Sequence, residues 1–481
     1  MDFMIPGLRV AIAPLLILSF VGAAAAAEVS QLRAGAAASN ISPPLGLSIN
    51  GSFTDHKATN IHDELHARCL VLDNGISRIG IVVVDSCMVP REIFDEAKQI
   101  IQKETGIPAH LLLMSATHTH SAPAATPVFQ SDPDPSYQQF LTRRIADGIR
   151  RAVANLAPAR ITWGISSVSG QVFNRRWKMK PGTLLRDPFG GTNDLVKMNP
   201  NVGDPNLLEP AGPTDPQVCF ISVQHTNGRP LAVLANYSLH YCGGMGGGIV
   251  SADYYGAFAD RLQQLLEADR QDPPFVGIMS NGTSGNINNI DFRGEQEQQP
   301  PFGQLRIVAN DVAMEVVRAT RSLQYRDWIP LHAKRTEIRL GVRVPASNEV
   351  RRAYEILAQA KGSQLRTPEE VYARETILIK DYPPHVQSIL QAVRIGDVGI
   401  VAIPCEVFVE IGLEIKSKSP FKPTFTISLA NGYNGYLPTV EHHRQGGYET
   451  WRARSSYLEV EAAPKIETAV FQLLDQLTTA E

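Results

Sequence analysis

The densest concentration of chemically competent side chains is the run Ser115-Ala-Thr-His118-Thr-His120-Ser-Ala-Pro123. Histidines two apart on an extended segment face the same side, and here they stand where a hydrophobic strand emerges into a turn, a placement that offers imidazoles at the edge of a cleft. Surface or packing histidines are the other reading of such a pair. His240 has the same setting, at the end of the apolar run Leu231-Ala-Val-Leu-Ala-Asn-Tyr-Ser-Leu-His240. Glu406 ends a third, Val398-Gly-Ile-Val-Ala-Ile-Pro-Cys-Glu406. A carboxylate beyond a buried strand is costly unless a salt bridge or a bound cation meets it. Two histidines and one glutamate with an open position form a recognised catalytic-zinc ligand set.

The elements that must position these residues read as α/β. Arg68–Asp73, Ile79–Asp85 and His110–His118 have strand character, and Pro90–Glu104 and Tyr137–Leu156 have helical periodicity. Further strands are expected at Val218–Gln224, Leu231–Asn236, Phe275–Ser280, Val398–Ile403 and Thr424–Leu429. Helices are expected at Ser251–Ala268, Ile307–Thr320, Glu349–Ala360, Ile411–Lys416 and Glu461–Leu477. Asn174–Pro216 lacks periodicity and is crowded with Pro, Gly, Asn and Asp, which suggests a functional loop or lid. The glycine tract Gly243–Gly248 follows His240 and lets a ligand or substrate approach the backbone.

With 481 residues, 43% hydrophobic and 19% charged, the chain describes a globular protein able to bury a large core without disulfides. A formal net charge of -3 argues against a dedicated nucleic-acid binder. Arg9, the apolar run Val10–Val21 and the small residues up to Ala27 form an export-signal pattern, too short for a comfortable bilayer span. We therefore expect a signal peptide over residues 1–27, a single domain over 28–481, a periplasmic or secreted mature protein, and no stable transmembrane span after cleavage. The five cysteines contain no CxxC pair and read as buried small hydrophobes, with Cys405 the one beside a candidate ligand.

Ala116-Thr-His118-Thr-His120-Ser-Ala-Pro123, Asn174-Arg175, Asn236-Tyr-Ser-Leu-His240, Pro404-Cys-Glu406, Asn431-Gly-Tyr-Asn-Gly-Tyr436 and Gln445-Gly-Gly-Tyr448-Glu449 occur in that order. Together they resemble the neutral/alkaline non-lysosomal ceramidase family, from about Gly35 to Tyr457. The resemblance implies a mixed-sheet α/β catalytic domain with long loop insertions and a Zn2+ amidase site. By motif, His118, His240, Glu406 and Tyr436 would be the metal ligands. His120 would stand close to the metal, Arg175 would be an active-site polar residue, and Tyr448 would steady the carbonyl oxygen.

Two departures follow from the same comparison. The family's Gly-Asp-Val-Ser-Pro-Asn motif corresponds here to Gly285-Asn286-Ile287-Asn288-Asn289-Ile290, so Asn288 stands at the serine position. A carboxamide orients water or donates to an oxyanion but is no alkoxide nucleophile; Ser284 would replace it only through a shifted loop. The family's C-terminal immunoglobulin-like domain is not expected, which favours a smaller or more soluble substrate than ceramide. The basic run Arg175–Lys180 is either a solvated face or a selector of anionic substrates. The expected function is zinc-dependent hydrolysis of an amide or related acyl bond in a small-molecule or lipid-derived substrate, with metal-activated water as nucleophile. A zinc esterase, lactonase or lyase, and a non-catalytic metal-stabilised binding protein, are the alternatives.

Overall fold

Alternation with a period of two sets the first layer. The strand His66–Asp73 sends Cys69 and Val71 to one buried face and Leu70 and Leu72 to the other, and its neighbour Arg78–Val84 divides Val82 and Val84 from Ile81 and Val83 in the same way. A sheet apolar on both faces must be covered on both. The computed structural model describes residues 1–5, 7, 31–294, 297–362 and 364–479. Gln31–Glu481 forms one compact unit, distinct from Met1–Ser30. The expected signal segment 1–27 lies outside the described residues, apart from 1–5 and 7.

The large sheet has eight strands, in the order Val276–Asn281, Pro230–Tyr237, Gln217–His225, Ala157–Ser167, Arg33–Asn40, His66–Asp73, Arg78–Val84 and Leu112–Ala116. A second sheet of four strands runs Leu331–Gly341, His385–Ile395, Val398–Ala402, Thr424–Ile427. Leu70, Ile81, Ile221 and Ile278 of the first share a core with Leu331, Val393, Ile400 and Phe425 of the second. Helices Arg91–Thr105, Pro135–Ala154, Asp253–Leu265 and Gly303–Thr320 cover the outer face of the large sheet, and Val409–Lys418 and Ala462–Thr478 that of the small one. The result is a mixed α/β architecture in four layers. Among the described residues the sheets form neither a closed barrel nor an immunoglobulin-like sandwich.

Most strand pairs in the two main sheets are antiparallel, but three are parallel, each joined through a helix. Arg78–Val84 pairs with Leu112–Ala116, Pro230–Tyr237 with Val276–Asn281, and Val398–Ala402 with Thr424–Ile427. In open α/β sheets the crevice beyond the carboxyl ends of parallel strands is the natural ligand site. All three pairs open into the same region: Asn281 Nδ2 donates to Thr117 O at 3.0 Å, and Ser428 N to Asn281 O at 3.0 Å.

Where the structure departs from the sequence reading, local signals are at fault. Asn174–Pro216 is not structureless, because Arg176–Met179 pairs antiparallel with Val196–Met198 and Leu207–Pro210; strands this short leave little periodicity. Arg33–Asn40, rich in alanine, and Leu331–Gly341, carrying Lys334, Arg335, Glu337 and Arg339, are strands that hydrophobicity does not announce. The helix Pro368–Ile379 is marked by a capping box between Thr367 and Glu370 rather than by an apolar stripe. All five cysteines are free thiols.

Candidate metal centre

His118 lies beyond its strand, not on it. Leu112–Ala116 ends, Thr117 N donates to Val84 O (2.9 Å) and His118 N to Ser86 O (2.8 Å), so the turn is clamped to the end of the neighbouring strand. His118 there has φ 76°, the left-handed region that costs a side-chain-bearing residue energy and clusters at functional sites. The expected same-side geometry of a strand therefore does not bring His118 and His120 together; the turn does. His240 follows Pro230–Tyr237, and Glu406 follows Val398–Ala402.

Each of the three imidazoles is fixed by a main-chain carbonyl that accepts from Nδ1: Cys87 O for His118 (2.8 Å), Gly51 O for His120 (2.9 Å) and Ser284 O for His240 (3.0 Å). A carbonyl has no proton to give, so Nδ1 carries the hydrogen and Nε2 presents a lone pair in the neutral ring. His118 Nε2 lies 2.9 Å from His240 Nε2, 3.1 Å from His120 Nε2 and 3.1 Å from Glu406 Oε2. The other carboxylate oxygen, Oε1, accepts from Tyr433 Oη at 3.0 Å, while Oε2 is buried and faces His118 Nε2. Electron pairs facing one another this closely in a buried site repel unless a positive charge lies among them. His118, His240 and Glu406, all buried, offer ligand atoms within 4.8 Å of one another, and this donor set fits a divalent metal ion.

The electrostatics follow the same geometry. Burial pulls the Glu406 pKa up, but the His118 charge and hydrogen bond and the Arg175 charge outweigh it, so the carboxylate stays ionised. Burial also depresses His240, reinforced by Arg175, and depresses His120, reinforced by His118. For His118 burial acts downward, yet Glu406 and Cys87 raise it well above the ordinary histidine value.

Tyr436 is set beside Glu406 by strand register, because Glu406–Val407 and Tyr436–Leu437 pair in parallel with Glu406 opposite Tyr436. Its Oη accepts from Arg175 Nη2 at 3.2 Å. Arg175 is carried in by a second short pairing, Ile287–Asn288 against Phe173–Asn174. Its guanidinium reaches Gly285 O (2.7 Å), Glu449 Oε1 (3.0 Å) and His240 Nε2 (3.4 Å). Burial would weaken its charge, but Tyr436 and Glu449 hold it protonated. The Tyr448 ring packs edge-on to Tyr436 at 5.8 Å between centroids. His118, His120, His240, Glu406, Tyr436, Arg175 and Tyr448 are thus brought into one neighbourhood.

Asn288 is placed differently. Its Nδ2 donates to Asn199 Oδ1 (2.8 Å) and its Oδ1 accepts from Ile290 N (3.0 Å), so both ends of the carboxamide are engaged with loop residues. Ser284 Oγ donates to Asn281 Oδ1 at 2.7 Å, while its carbonyl orients His240. Arg176 is buried and paired with Glu449 (2.8 Å), and Lys178 is paired with Glu209 (2.8 Å).

Sequence reasoning passed over Gly51, Cys87 and Tyr433 as parts of the centre, and quoted Glu449 without a role. Gly51 has φ 105°, and a Cβ there would come 2.4 Å from His120 Cγ, so only glycine allows the carbonyl to reach His120. Tyr433 lies three residues before Tyr436, and Cys87 lies just past a parallel strand, positions that mark both for attention. Cys405, despite preceding Glu406, packs into the core beneath the small sheet.

A neutral ceramidase from Pseudomonas aeruginosa matches this structure with a TM-score of 0.69 at 16% identity, over 93% of this chain and 74% of that one. The fold is that of the neutral ceramidases. A ceramidase complexed with C2 matches with a TM-score of 0.71 at 17% identity, over 93% and 75% of the two chains. No family model matches the sequence, and no curated protein does. Among the described residues no helix is long and apolar enough to cross a membrane.

Proposed function

We propose that this protein is a zinc-dependent hydrolase that cleaves an amide or related acyl bond in a small-molecule or lipid-derived substrate. The observation that carries the reading is the convergence of two carbonyl-fixed imidazole Nε2 atoms, those of His118 (3.1 Å) and His240 (3.9 Å), on the buried Oε2 of Glu406. His118, His240, Glu406 and Tyr436 would hold the ion. When bound, zinc lowers the pKa of a water and polarises the substrate carbonyl.

The chain's own residues supply the remainder. Burial and the Glu406 charge hold the Tyr436 hydroxyl well above the ordinary phenol value, and Arg175, which donates to Tyr436 Oη, acts in the opposite direction, toward the phenolate that a metal ligand would be. Tyr448, beside Tyr436, donates its hydroxyl to the carbonyl oxygen as negative charge develops there. His120 would take a proton from the attacking water at Nε2 and pass it to the leaving group, its Nδ1 being held by Gly51 O. Water is the attacking group, because Asn288 has no hydroxyl and Ser284 Oγ is engaged with Asn281.

The test is metal content of the purified protein by inductively coupled plasma mass spectrometry, with His118→Ala and His240→Ala checked for folding, alongside an amide and ester screen in heavy-oxygen water. Stoichiometric zinc lost in both folded variants, with solvent oxygen in the product, is the expected result. Failure to bind zinc overturns the metal centre, and a new double bond without solvent oxygen makes the enzyme a lyase.

A further inference from the structure

A cavity of about 310 Å³ lies beside the candidate metal centre. Its wall includes Cys242 and Gly243, and Cys242 stands two residues past His240, so their Cα atoms are at most about 7 Å apart. Asp253, 1% exposed, holds that wall in place: Oδ1 accepts from Cys242 N at 3.0 Å and Oδ2 from Gly243 N at 2.9 Å. Between His240 and Cys242, Tyr241 stacks its ring on His120 at 3.7 Å. A second part of the wall is Asn289, which directly follows the strand Ile287–Asn288. Asn289 is 4% exposed, and its carboxamide has no hydrogen-bond partner among the described residues. Buried polar groups are nearly always paired, so an unpaired amide at a cavity wall marks a place where a ligand completes the bond. Gln298, Gln299 and Gln304 add three more carboxamides, and Val202, Ile290 and Phe302 an apolar share. Among the described residues no basic side chain lines the cavity, and of its two carboxylates Asp291 is paired with Arg293 at 3.3 Å.

We infer that this cavity is a subsite for a small, uncharged, polyhydroxylated ring carried on the leaving nitrogen of the substrate amide. The inference rests on the proposed hydrolase and names its substrate class. Carboxamides donate and accept together, as hydroxyl groups do, while apolar side chains cover the C–H faces of a ring; an anion would meet no counter-charge. His120 fixes which side of the bond is bound here. The hydroxyl of water goes to the acyl carbon, the C–N bond breaks, and the proton taken up by His120 passes to the leaving nitrogen, so the leaving group extends on the His120 side. From that imidazole the path runs over Tyr241 to the Cys242 wall. The volume stands at the small end of the ~300–1,000 Å³ of ligand sites and suits one ring rather than a long chain.

The test uses the zinc-loaded full chain and two acetamides with a six-membered ring on nitrogen, N-acetylglucosamine and N-cyclohexylacetamide. The hydroxylated amide is expected to have the higher kcat/KM, by at least about tenfold. Asn289→Leu, similar in size but without hydrogen bonds, should reduce that ratio by about tenfold, mainly through KM and with zinc content unchanged. Gln299→Leu, on the exposed rim, should act in the same direction and serves if Asn289→Leu does not fold. Binding is read separately by saturation-transfer NMR with N-acetylglucosamine on His118→Ala, alone and combined with Asn289→Leu. Binding that requires Asn289, without hydrolysis of either acetamide, keeps the subsite and counts against the hydrolase reading. No binding of N-acetylglucosamine, or N-cyclohexylacetamide cleaved as efficiently as the sugar amide, overturns the inference and leaves the hydrolase reading standing.

Discussion

His120 and Tyr433 occupy different places around the same carboxylate–imidazole group, and substitutions separate their roles. His120 presents Nε2 to His118 at 3.1 Å while its ring stacks on Tyr241 at 3.7 Å. As the proton-transfer residue it should be dispensable for the ion and not for turnover. His120→Gln is expected to lower kcat by about 10²- to 10⁴-fold with metal content unchanged; metal loss equal to that of His118→Ala would make it a ligand instead. Tyr433 touches the metal set only through Glu406 Oε1. Partners of this kind orient a ligand and raise its basicity, so Tyr433→Phe should weaken zinc binding by about 10- to 100-fold in a competitive chelator titration. Unchanged affinity would show that the hydroxyl only packs.

At the scale of elements, the centre depends on turns that hold side chains at strand ends. Gly51→Ala places a methyl group against the His120 ring on a backbone with positive φ. It should cost about 1–2 kcal/mol in denaturant unfolding and reduce turnover toward the His120→Gln level; a variant with wild-type kcat would show that the Gly51 carbonyl does not set the imidazole. Far from the site, the helix Ala462–Thr478 carries a carboxyl whose pKa is raised. Burial and the charge of Glu414 push Glu467 up to about 7, against a partial offset from Lys418. The folded state holds the proton more tightly than the unfolded chain, so the group's stabilising contribution is complete at pH below the ordinary glutamate value and is lost as pH rises through about 7. Glu467→Gln should flatten that decline in thermal melts taken across this window, and an unchanged slope would locate the titrating group elsewhere.

At the scale of the whole molecule, the two sheets make the site by meeting. Glu406 and Tyr436 belong to the small-sheet side, His118 and His240 to the ends of large-sheet strands, and the seam between them is closed by Ala116 N to Leu429 O (3.2 Å) and Asn431 N to Met114 O (2.7 Å). Phe425 is buried in the core that joins the sheets. Phe425→Ala should destabilise by about 3–5 kcal/mol in equilibrium unfolding and also weaken zinc binding, although no ligand is touched. Destabilisation with zinc affinity intact would show that the ligand set is rigid without the inter-sheet core.

The sequence by itself determined the α/β class, most strands and helices with strong apolar patterning, and the pairing of imidazole and carboxylate chemistry with strand ends. These are legible because periodicity and residue type are local properties. It did not reveal the strands Arg33–Asn40 and Leu331–Gly341, whose place in a sheet is decided by partners distant in the chain. Only the tertiary structure decided that Cys87, not Cys405, borders the histidines, that Arg176 is neutralised by Glu449 rather than offered to an anion, and that the Asn288 carboxamide is engaged with Asn199 and Ile290. Each of these turns on which side of a backbone a side chain takes and what fills the space beside it. That is fixed by packing between segments, and neighbouring residues in the chain carry no record of it.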